Sequence, residues 1–229
     1  MSLSSSPQEN TALLPHTNEE KKISSKDRIA GWSVTAGVLI FAGLVASVLV
    51  RIPLSVFSYH PLFMTIFTVA ATEGVSRLQP TETQEQKKQG LKIHAVIQGI
   101  GYTGALFGFT AIFYNKVLSH KPHFTSAHGQ LGVLVFSLLW VQIAFGVTIA
   151  YTPTLVFGSV ANAKRLWKYH RRFGYVLLGL VWLTAQLGVR ADYTYNNLWS
   201  EHLIWLHWVG VSLVAGGLVA RTRVSKMGF

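Results

Sequence analysis

The chain has 229 residues, of which half are hydrophobic and only 13% are charged. A soluble domain of this length does not carry so many long uncharged runs, so the composition indicates a membrane protein. The formal net charge is +11, and the chain contains no cysteine. The lack of cysteine excludes disulfides, iron–sulfur clusters, thiolate metal sites and covalently attached c-type haem.

Apolar segments long enough to cross a hydrocarbon core of about 30 Å occur six times along the chain. They predict an all-α fold, a polytopic membrane bundle of six transmembrane helices that occupies residues 26–222 as one domain. Residues 1–25 are polar and serine-rich and are predicted to form a disordered cytoplasmic tail, and residues 223–229 a cytoplasmic C-terminal tail. The predicted spans are approximately 29–50, 57–77, 92–114, 129–151, 170–189 and 203–220.

The basic residues are distributed unevenly between the two sides that six spans define. Sixteen of the 20 Lys and Arg fall in the two tails and in the second–third and fourth–fifth connections, all on one side. Because basic residues accumulate in cytoplasmic loops, this split predicts that both termini are cytoplasmic. It accounts for the positive charge without a nucleic-acid partner and leaves the lipid bilayer and anionic substrates as partners. The exceptions are Arg51, Lys116, Lys121 and Arg190.

Four histidines lie near the starts of predicted spans 2 to 5. One histidine at a helix start is more often interfacial than a ligand, but ionisable residues are rare inside membranes and four of them at matched depths suggest function. Alternating spans place His60 and His128 near the outer face, and His94 and His170 near the cytoplasmic face, roughly 20 Å away. Paired neutral imidazoles commonly hold haem iron without cysteine. The pattern therefore predicts two non-covalent, bis-histidine b-type haems in a four-helix core of helices 2–5.

Other ionisable side chains have weaker claims to a function. His202 and His207 belong to predicted span 6 and stand about 140° apart around a helix, so they share no face, and their role stays open. His120 and His123 lie in an outer loop, where they are expected to be solvated or to meet an acceptor or anionic substrate. Glu73 is expected to pair with a neighbouring Arg or Lys.

The four histidine segments resemble, in order, those of the cytochrome b561 family in its single-domain, six-helix form. "SYHP" is similar to the family's aromatic–His–Pro signature, and "HAVIQ", "HGQLG" and "YHRRFGY" are similar to the openings of its later helices. The likeness covers about residues 29–222. "HGQLG" departs from the His-Ser-Trp form of the ascorbate-using members and is closer to the cytochrome b561 domain-containing subgroup, so the outer substrate stays open.

The resemblance implies a transmembrane oxidoreductase. Cytosolic ascorbate or a similar reductant would reduce the inner haem, and the outer haem would pass the electron to monodehydroascorbate or a ferric chelate. The resemblance also implies that His60, His94, His128 and His170 bind the haems, and that a homodimer can form. A cationic rim would steer the ascorbate anion, although each of its members can equally be a topology determinant alone. The rim comprises Lys88, Lys92, Lys164, Arg165 and Lys168.

Two other functions stay open at this stage. A quinol-linked diheme cytochrome b subunit would need a quinone pocket and a partner chain. A haem-free transporter or proton channel would need ionisable groups at mid-membrane, whereas the four histidines lie at the edges.

The sequence offers one indication of location inside the cell. "ENTALL", residues 9–14, fits an acidic dileucine pattern on the cytoplasmic tail. Such patterns direct sorting to vacuolar, lysosomal or endosomal membranes, which is where we expect the protein.

Overall fold

The computed structural model describes residues 23–197 and 201–227, with the side chains of 201 and 202 left out. The described residues form eight α-helices and no β-strand, which confirms the predicted all-α class. Three short 3-10 helices cover Val56–Ser58, Glu201–Trp205 and Val224–Met227. The α-helices are α1 (Ser25–Leu49), α2 (Tyr59–Leu78), α3 (Gln84–Leu118), α4 (Ala127–Tyr151), α5 (Pro153–Phe157), α6 (Val160–Val189), α7 (Asp192–Tyr195) and α8 (Leu206–Arg221).

Five helical segments of the described chain are long and apolar enough to cross a membrane: α1, α3, α4, α6 and Leu203–Arg221. The remaining predicted span is α2, whose 20 residues extend about 30 Å but are more polar. Its polar side chains form hydrogen bonds inside the bundle. Thr68 and Thr72 donate hydrogen bonds to the carbonyls four residues earlier, and Trp182 of α6 donates to the Thr72 hydroxyl at 3.0 Å.

The helices pack as three antiparallel pairs, α1 with α8, α2 with α3 and α4 with α6, and α2 also contacts α1 and α6. Glycines permit the closest approaches. A Cβ at Gly37 would lie 2.5 Å from the Gly210 carbonyl oxygen, and one at Gly217 would lie 2.6 Å from the Ala30 carbonyl oxygen. Backbone contact of this kind is how membrane helices gain packing energy without a hydrophobic driving force.

Helices α3 and α6 begin well before the spans predicted at 92 and 170. Thr83 caps α3 in a reciprocal capping box with Gln86, and the Ser159 hydroxyl accepts from the Asn162 amide at the start of α6. Each helix therefore has ten residues, about 15 Å, before its histidine, and the two extensions leave the bundle at the same end.

The described part of the predicted C-terminal tail is attached to the bundle. Arg223 pairs with Asp27 at 2.7 Å, and the Lys226 ammonium donates to the Gln79 and Thr81 carbonyls at 2.7 Å. Arg172 donates to the Met227 carbonyl at 2.8 Å. Most of the predicted N-terminal tail, including the dileucine pattern at 9–14, lies outside the described residues.

Candidate functional site

Two cavities open between the helix pairs, one towards each end of the bundle. The first, of about 310 Å³, is lined by His60 and His128 and is called the His60 cavity. The second, of about 290 Å³, is lined by His94 and His170 and is called the His94 cavity. Both volumes are close to the lower limit of ordinary small-molecule sites. The histidines are thus brought together in the two predicted pairs.

The spacing of the first pair suits a shared metal ion. The ring centroids of His60 and His128 are 5.9 Å apart. A coordinating imidazole nitrogen lies about 2 Å from its metal, so two imidazoles on opposite sides of one ion have ring centres about 6 Å apart. The distance observed between these rings is therefore compatible with one metal ion held between them.

Three of the four imidazoles are oriented by backbone carbonyls. Nδ1 of His60 lies 2.9 Å from the Gly108 oxygen, Nδ1 of His94 lies 3.0 Å from the Gly74 oxygen, and Nδ1 of His128 lies 2.9 Å from the Thr184 oxygen. A carbonyl oxygen can only accept, so Nδ1 carries the proton and Nε2 keeps its lone pair. Metal-bound histidines are typically held in this way.

The carbonyl acceptors follow a common register. Each acceptor lies 14 residues after the histidine of its own helix. Gly74, which accepts from His94, follows His60 on α2, and Gly108, which accepts from His60, follows His94 on α3. Fourteen residues of α-helix rise about 21 Å, so the two cavities stand at levels separated by about that distance. This agrees with the separation of roughly 20 Å expected from the spans.

Glycines make room for two of the rings. A Cβ at Gly188 would lie 2.9 Å from Cε1 of His128, and a Cβ at Gly146 would lie 2.6 Å from Cε1 of His170. Gly188 lies 18 residues, or five helical turns, after His170 on α6, and Gly146 lies the same distance after His128 on α4. The rings are therefore seated in gaps that any larger residue would fill.

Three apolar side chains are common to the walls of both cavities. Phe67 of α2, Leu139 of α4 and Val181 of α6 line both cavities. Phe67 and Val181 are buried in the main hydrophobic core. No three His, Cys, Asp or Glu side chains of the described chain gather as a metal site. A planar macrocycle supplies the other ligands of its own iron, so two histidines are sufficient to hold it.

The five predicted rim cations lie on the extensions of α3 and α6. Lys88, Lys92, Lys164 and Arg165 are exposed, and the Lys168 ammonium stands 5.1 Å from the Tyr169 ring centroid. None of the five lines the His94 cavity. Its wall near these extensions is formed instead by Leu91, Trp167 and Tyr151.

At the other end, the structure distinguishes between the two predicted loop histidines. His123 lines the His60 cavity and stacks on Phe113 with a centroid distance of 4.4 Å, whereas His120 is exposed and lines neither cavity. Lys116 also lines the His60 cavity, and its ammonium donates to the Pro122 carbonyl at 2.7 Å. Lys116 was not among the predicted site residues. Lys116 is one of the four basic residues that do not lie on the predicted cytoplasmic side, and this exception was the sequence signal that could have identified it.

His207 and Glu73 line neither cavity. His207 is buried in α8, where Nδ1 donates to the Ile204 carbonyl and Nε2 has no partner. The side chain of His202 lies outside the described residues. Glu73 accepts from the Thr35 hydroxyl at 2.7 Å and pairs with Arg77 at 3.4 Å, as the sequence predicted.

Sequence comparisons relate the chain to membrane cytochromes. A profile of the family described as eukaryotic cytochrome b561 matches residues 59–196, a range that contains both histidine pairs. Transmembrane reductase CYB561D2 of Homo sapiens is 29% identical over 175 residues, covering 70% of this chain and 76% of that protein. Transmembrane ascorbate ferrireductase 1 of Arabidopsis thaliana is 27% identical over 142 residues, covering 61% of this chain and 57% of that protein.

Proposed function

Because the chain belongs to the cytochrome b561 family, whose members carry b-type haem, we propose that it passes electrons from cytoplasmic ascorbate through two haems to an acceptor across the membrane. The protein is a multi-pass membrane oxidoreductase of this family, and relatives named for ascorbate-dependent reduction support ascorbate as a substrate. His94 and His170 would bind the cytoplasmic haem iron, and His60 and His128 the outer haem iron. Monodehydroascorbate or a ferric chelate would accept the electron.

One observation carries the proposal. Two histidine pairs face two cavities at levels about 21 Å apart, and three of the four imidazoles are anchored through Nδ1 to a carbonyl. An anchored imidazole presents Nε2 in a fixed direction, so these histidines would be oriented to hold a haem iron. A channel or transporter would need a polar path between the levels, whereas Phe67, Leu139 and Val181 stand there.

The protein contributes placement and exclusion of water. Bound haem iron supplies reversible one-electron oxidation and reduction. The backbone carbonyls of Gly74, Gly108 and Thr184 orient the imidazoles and keep the proton on Nδ1. The apolar side chains shared by the two cavities exclude water where they stand.

The cationic extensions would recruit the donor. Ascorbate is an anion near neutral pH, and Lys88, Lys92, Lys164, Arg165 and Lys168 surround the end of the bundle at which the His94 cavity opens. Since all are exposed or half-exposed, their role is long-range attraction and not a fixed contact. At the opposite end, Lys116 and His123 are placed to meet an anionic acceptor.

The placement of the molecule in the cell is part of the same proposal. Both termini would be cytoplasmic, because sixteen of the 20 Lys and Arg lie on that side. The dileucine pattern favours a vacuolar, lysosomal or endosomal membrane, where the acceptor would be inside a closed compartment. A homodimer remains our expectation from the family.

The test is an optical titration of the detergent-purified protein with ascorbate, together with measurement of haem per chain. We expect two haems reducible by ascorbate in the wild type, and one in each of His94→Ala and His128→Ala. Two haems that ignore ascorbate but accept electrons from a quinol would replace the donor in the proposal. A wild-type protein without haem would overturn it.

A further inference from the structure

The imidazole of His170 is held differently from the other three. Its Nδ1 is buried and has no hydrogen-bond partner, whereas the other three Nδ1 atoms each bond a carbonyl. The side chain of Gln142 lies against the ring instead. Its amide nitrogen is 3.4 Å from Nε2 of His170 and donates to the His170 carbonyl at 3.0 Å.

Gln142 occupies the position at which the other sites supply their carbonyl. It lies 14 residues after His128, the histidine of α4, which packs against the α6 helix of His170, just as Gly74 follows His60 and Gly108 follows His94. If His170 followed the same pattern, the backbone carbonyl of Gln142 would accept from its Nδ1. In this one place the residue has a long amide side chain, and its oxygen Oε1 is also buried without a partner.

We propose that Gln142 is the positioning residue for His170, with Oε1 accepting a hydrogen bond from the Nδ1–H group of His170 in the haem-loaded protein. A buried donor and a buried acceptor that both lack partners each cost free energy, and pairing them removes both costs. The Gln142 amide already lies against the ring, with its nitrogen 3.4 Å from Nε2 of His170, so the proposed bond requires the amide and the ring to turn about their side-chain bonds. This inference rests on the proposed function, because it concerns His170 as an iron ligand.

The surroundings are shaped for these two side chains. A Cβ at Gly174 would lie 2.7 Å from the Gln142 amide nitrogen, and a Cβ at Gly146 would lie 2.6 Å from the His170 ring. The same cavity contains a second glutamine in a matching niche, since a Cβ at Gly74 would lie 2.7 Å from the Gln98 amide nitrogen. Gln98, however, donates to the Ala71 carbonyl at 3.1 Å and leaves His94 to its backbone anchor.

The consequence is that one ligand is oriented by a group that a point mutation can remove. A hydrogen bond from Nδ1 raises the basicity of the ligating nitrogen and stabilises the ferric state. Loss of the Gln142 acceptor therefore raises the reduction potential of the haem held by His94 and His170. The haem held by His60 and His128 is unaffected.

The experiment is a potentiometric titration with optical detection, with electron paramagnetic resonance of the oxidised haems. In Gln142→Leu we expect one haem potential to rise and one set of g-values to shift, with the other haem unchanged. Gln142→Glu keeps an oxygen acceptor at the same reach, so it retains both haems at or below the wild-type potentials. Gln98→Leu removes the other amide of the cavity and leaves both potentials in place.

Several outcomes overturn the inference. Unchanged potentials and g-values in Gln142→Leu would mean that the backbone or no group anchors His170. Equal shifts in Gln142→Leu and Gln98→Leu would reflect cavity polarity alone. If Gln142→Leu loses one haem, retention of that haem by Gln142→Glu supports the acceptor role, and its loss there contradicts it. A wild-type protein without two haems would instead defeat the proposed function.

Discussion

At the scale of single residues, glycine decides where the imidazoles can stand. Gly188 lies beside His128, and a Cβ there would be 2.9 Å from Cε1 of the ring. The ring is the movable end of a side chain, so the added methyl displaces the ring and leaves the helices in place. Displacement would break the bond from Nδ1 to the Thr184 carbonyl, which sets the direction of Nε2.

We therefore predict that Gly188→Ala folds but loses the haem held by His60 and His128, about half of the total. Haem per chain, measured after denaturation in pyridine, reports the loss, and circular dichroism checks that the helices persist. Gly179→Ala is the matched control, because nothing lies within 4 Å of a Cβ at this position on the same helix. Full haem content in Gly188→Ala would contradict the steric argument.

The pairing of the four histidines was predictable, but the way each ring is held was not. Hydropathy and alternation of spans were sufficient to match His60 with His128, and His94 with His170. The anchors are backbone carbonyls, which carry no sequence signal. Gln142 appears in the sequence as one polar residue in a long apolar span, and only its contact with His170 reveals its role.

At the scale of helices, the first ten residues of α3 and α6 carry the charges of the proposed entrance. Lys88 and Lys92 lie on the α3 extension and are exposed. Exposed charges act on an anion over a Debye length of about 30 Å at 0.01 M salt, but only about 8 Å at 0.15 M. Their contribution should therefore be large at low ionic strength and small at high ionic strength.

For the double variant Lys88→Glu, Lys92→Glu we predict about a 10-fold slower reduction by ascorbate at low salt, the lower end of electrostatic steering effects. The difference from wild type should shrink as salt is added. Stopped-flow mixing at two ionic strengths measures it. Lys121→Glu, in the loop at the opposite end, serves as the control and should leave the rate unchanged. Equal rates for the double variant and the wild type would assign these lysines to topology alone.

The C-terminal 3-10 turn provides a second test at this scale. Burial, with Arg171, Lys87 and Arg223 nearby, lowers the pKa of Lys226 from 10.5 to about 8. The unfolded chain therefore binds a proton that the folded protein has released between about pH 8 and 10.5, so stability rises with pH in this window.

We predict that the melting temperature of the wild type rises relative to Lys226→Met between pH 7.5 and 10. The gain should be roughly 2–4 °C, the shift that about 1 kcal/mol produces in a domain of this size, after discounting for solvent screening. Differential scanning fluorimetry in detergent measures the difference. A gap between the two proteins that stays constant with pH would contradict the lowered pKa.

Helix boundaries followed local chemistry that hydropathy does not report. The predicted third span began at 92, whereas the Thr83 capping box starts α3 at Gln84, because a cap satisfies amide groups whether or not the following residues are apolar. Hydropathy was also a poor guide to α2. Its threonines bond within the helix and its buried face contacts other helices, so it can occupy the centre of the bundle without being uniformly apolar.

At the scale of the whole molecule, the direction of electron flow depends on which end of the bundle faces the cytoplasm. The chain has no cysteine, so single cysteines can report sidedness without background. Ser119 follows the end of α3, and Gln84 begins it, and both are exposed. The 35 residues of α3 extend about 52 Å, so the two positions stand on opposite sides of a bilayer.

We predict that a membrane-impermeant maleimide labels Gln84→Cys in sealed vesicles whose cytoplasmic face points outward, and that Ser119→Cys is labelled only after lysis. This outcome places His94 and His170 on the side that contains ascorbate, with the acceptor beyond His60 and His128. The reverse pattern would invert the orientation and move the donor site to Lys116 and His123. Labelling of both cysteines before lysis, in vesicles that exclude a soluble marker, would mean that α3 does not cross the membrane.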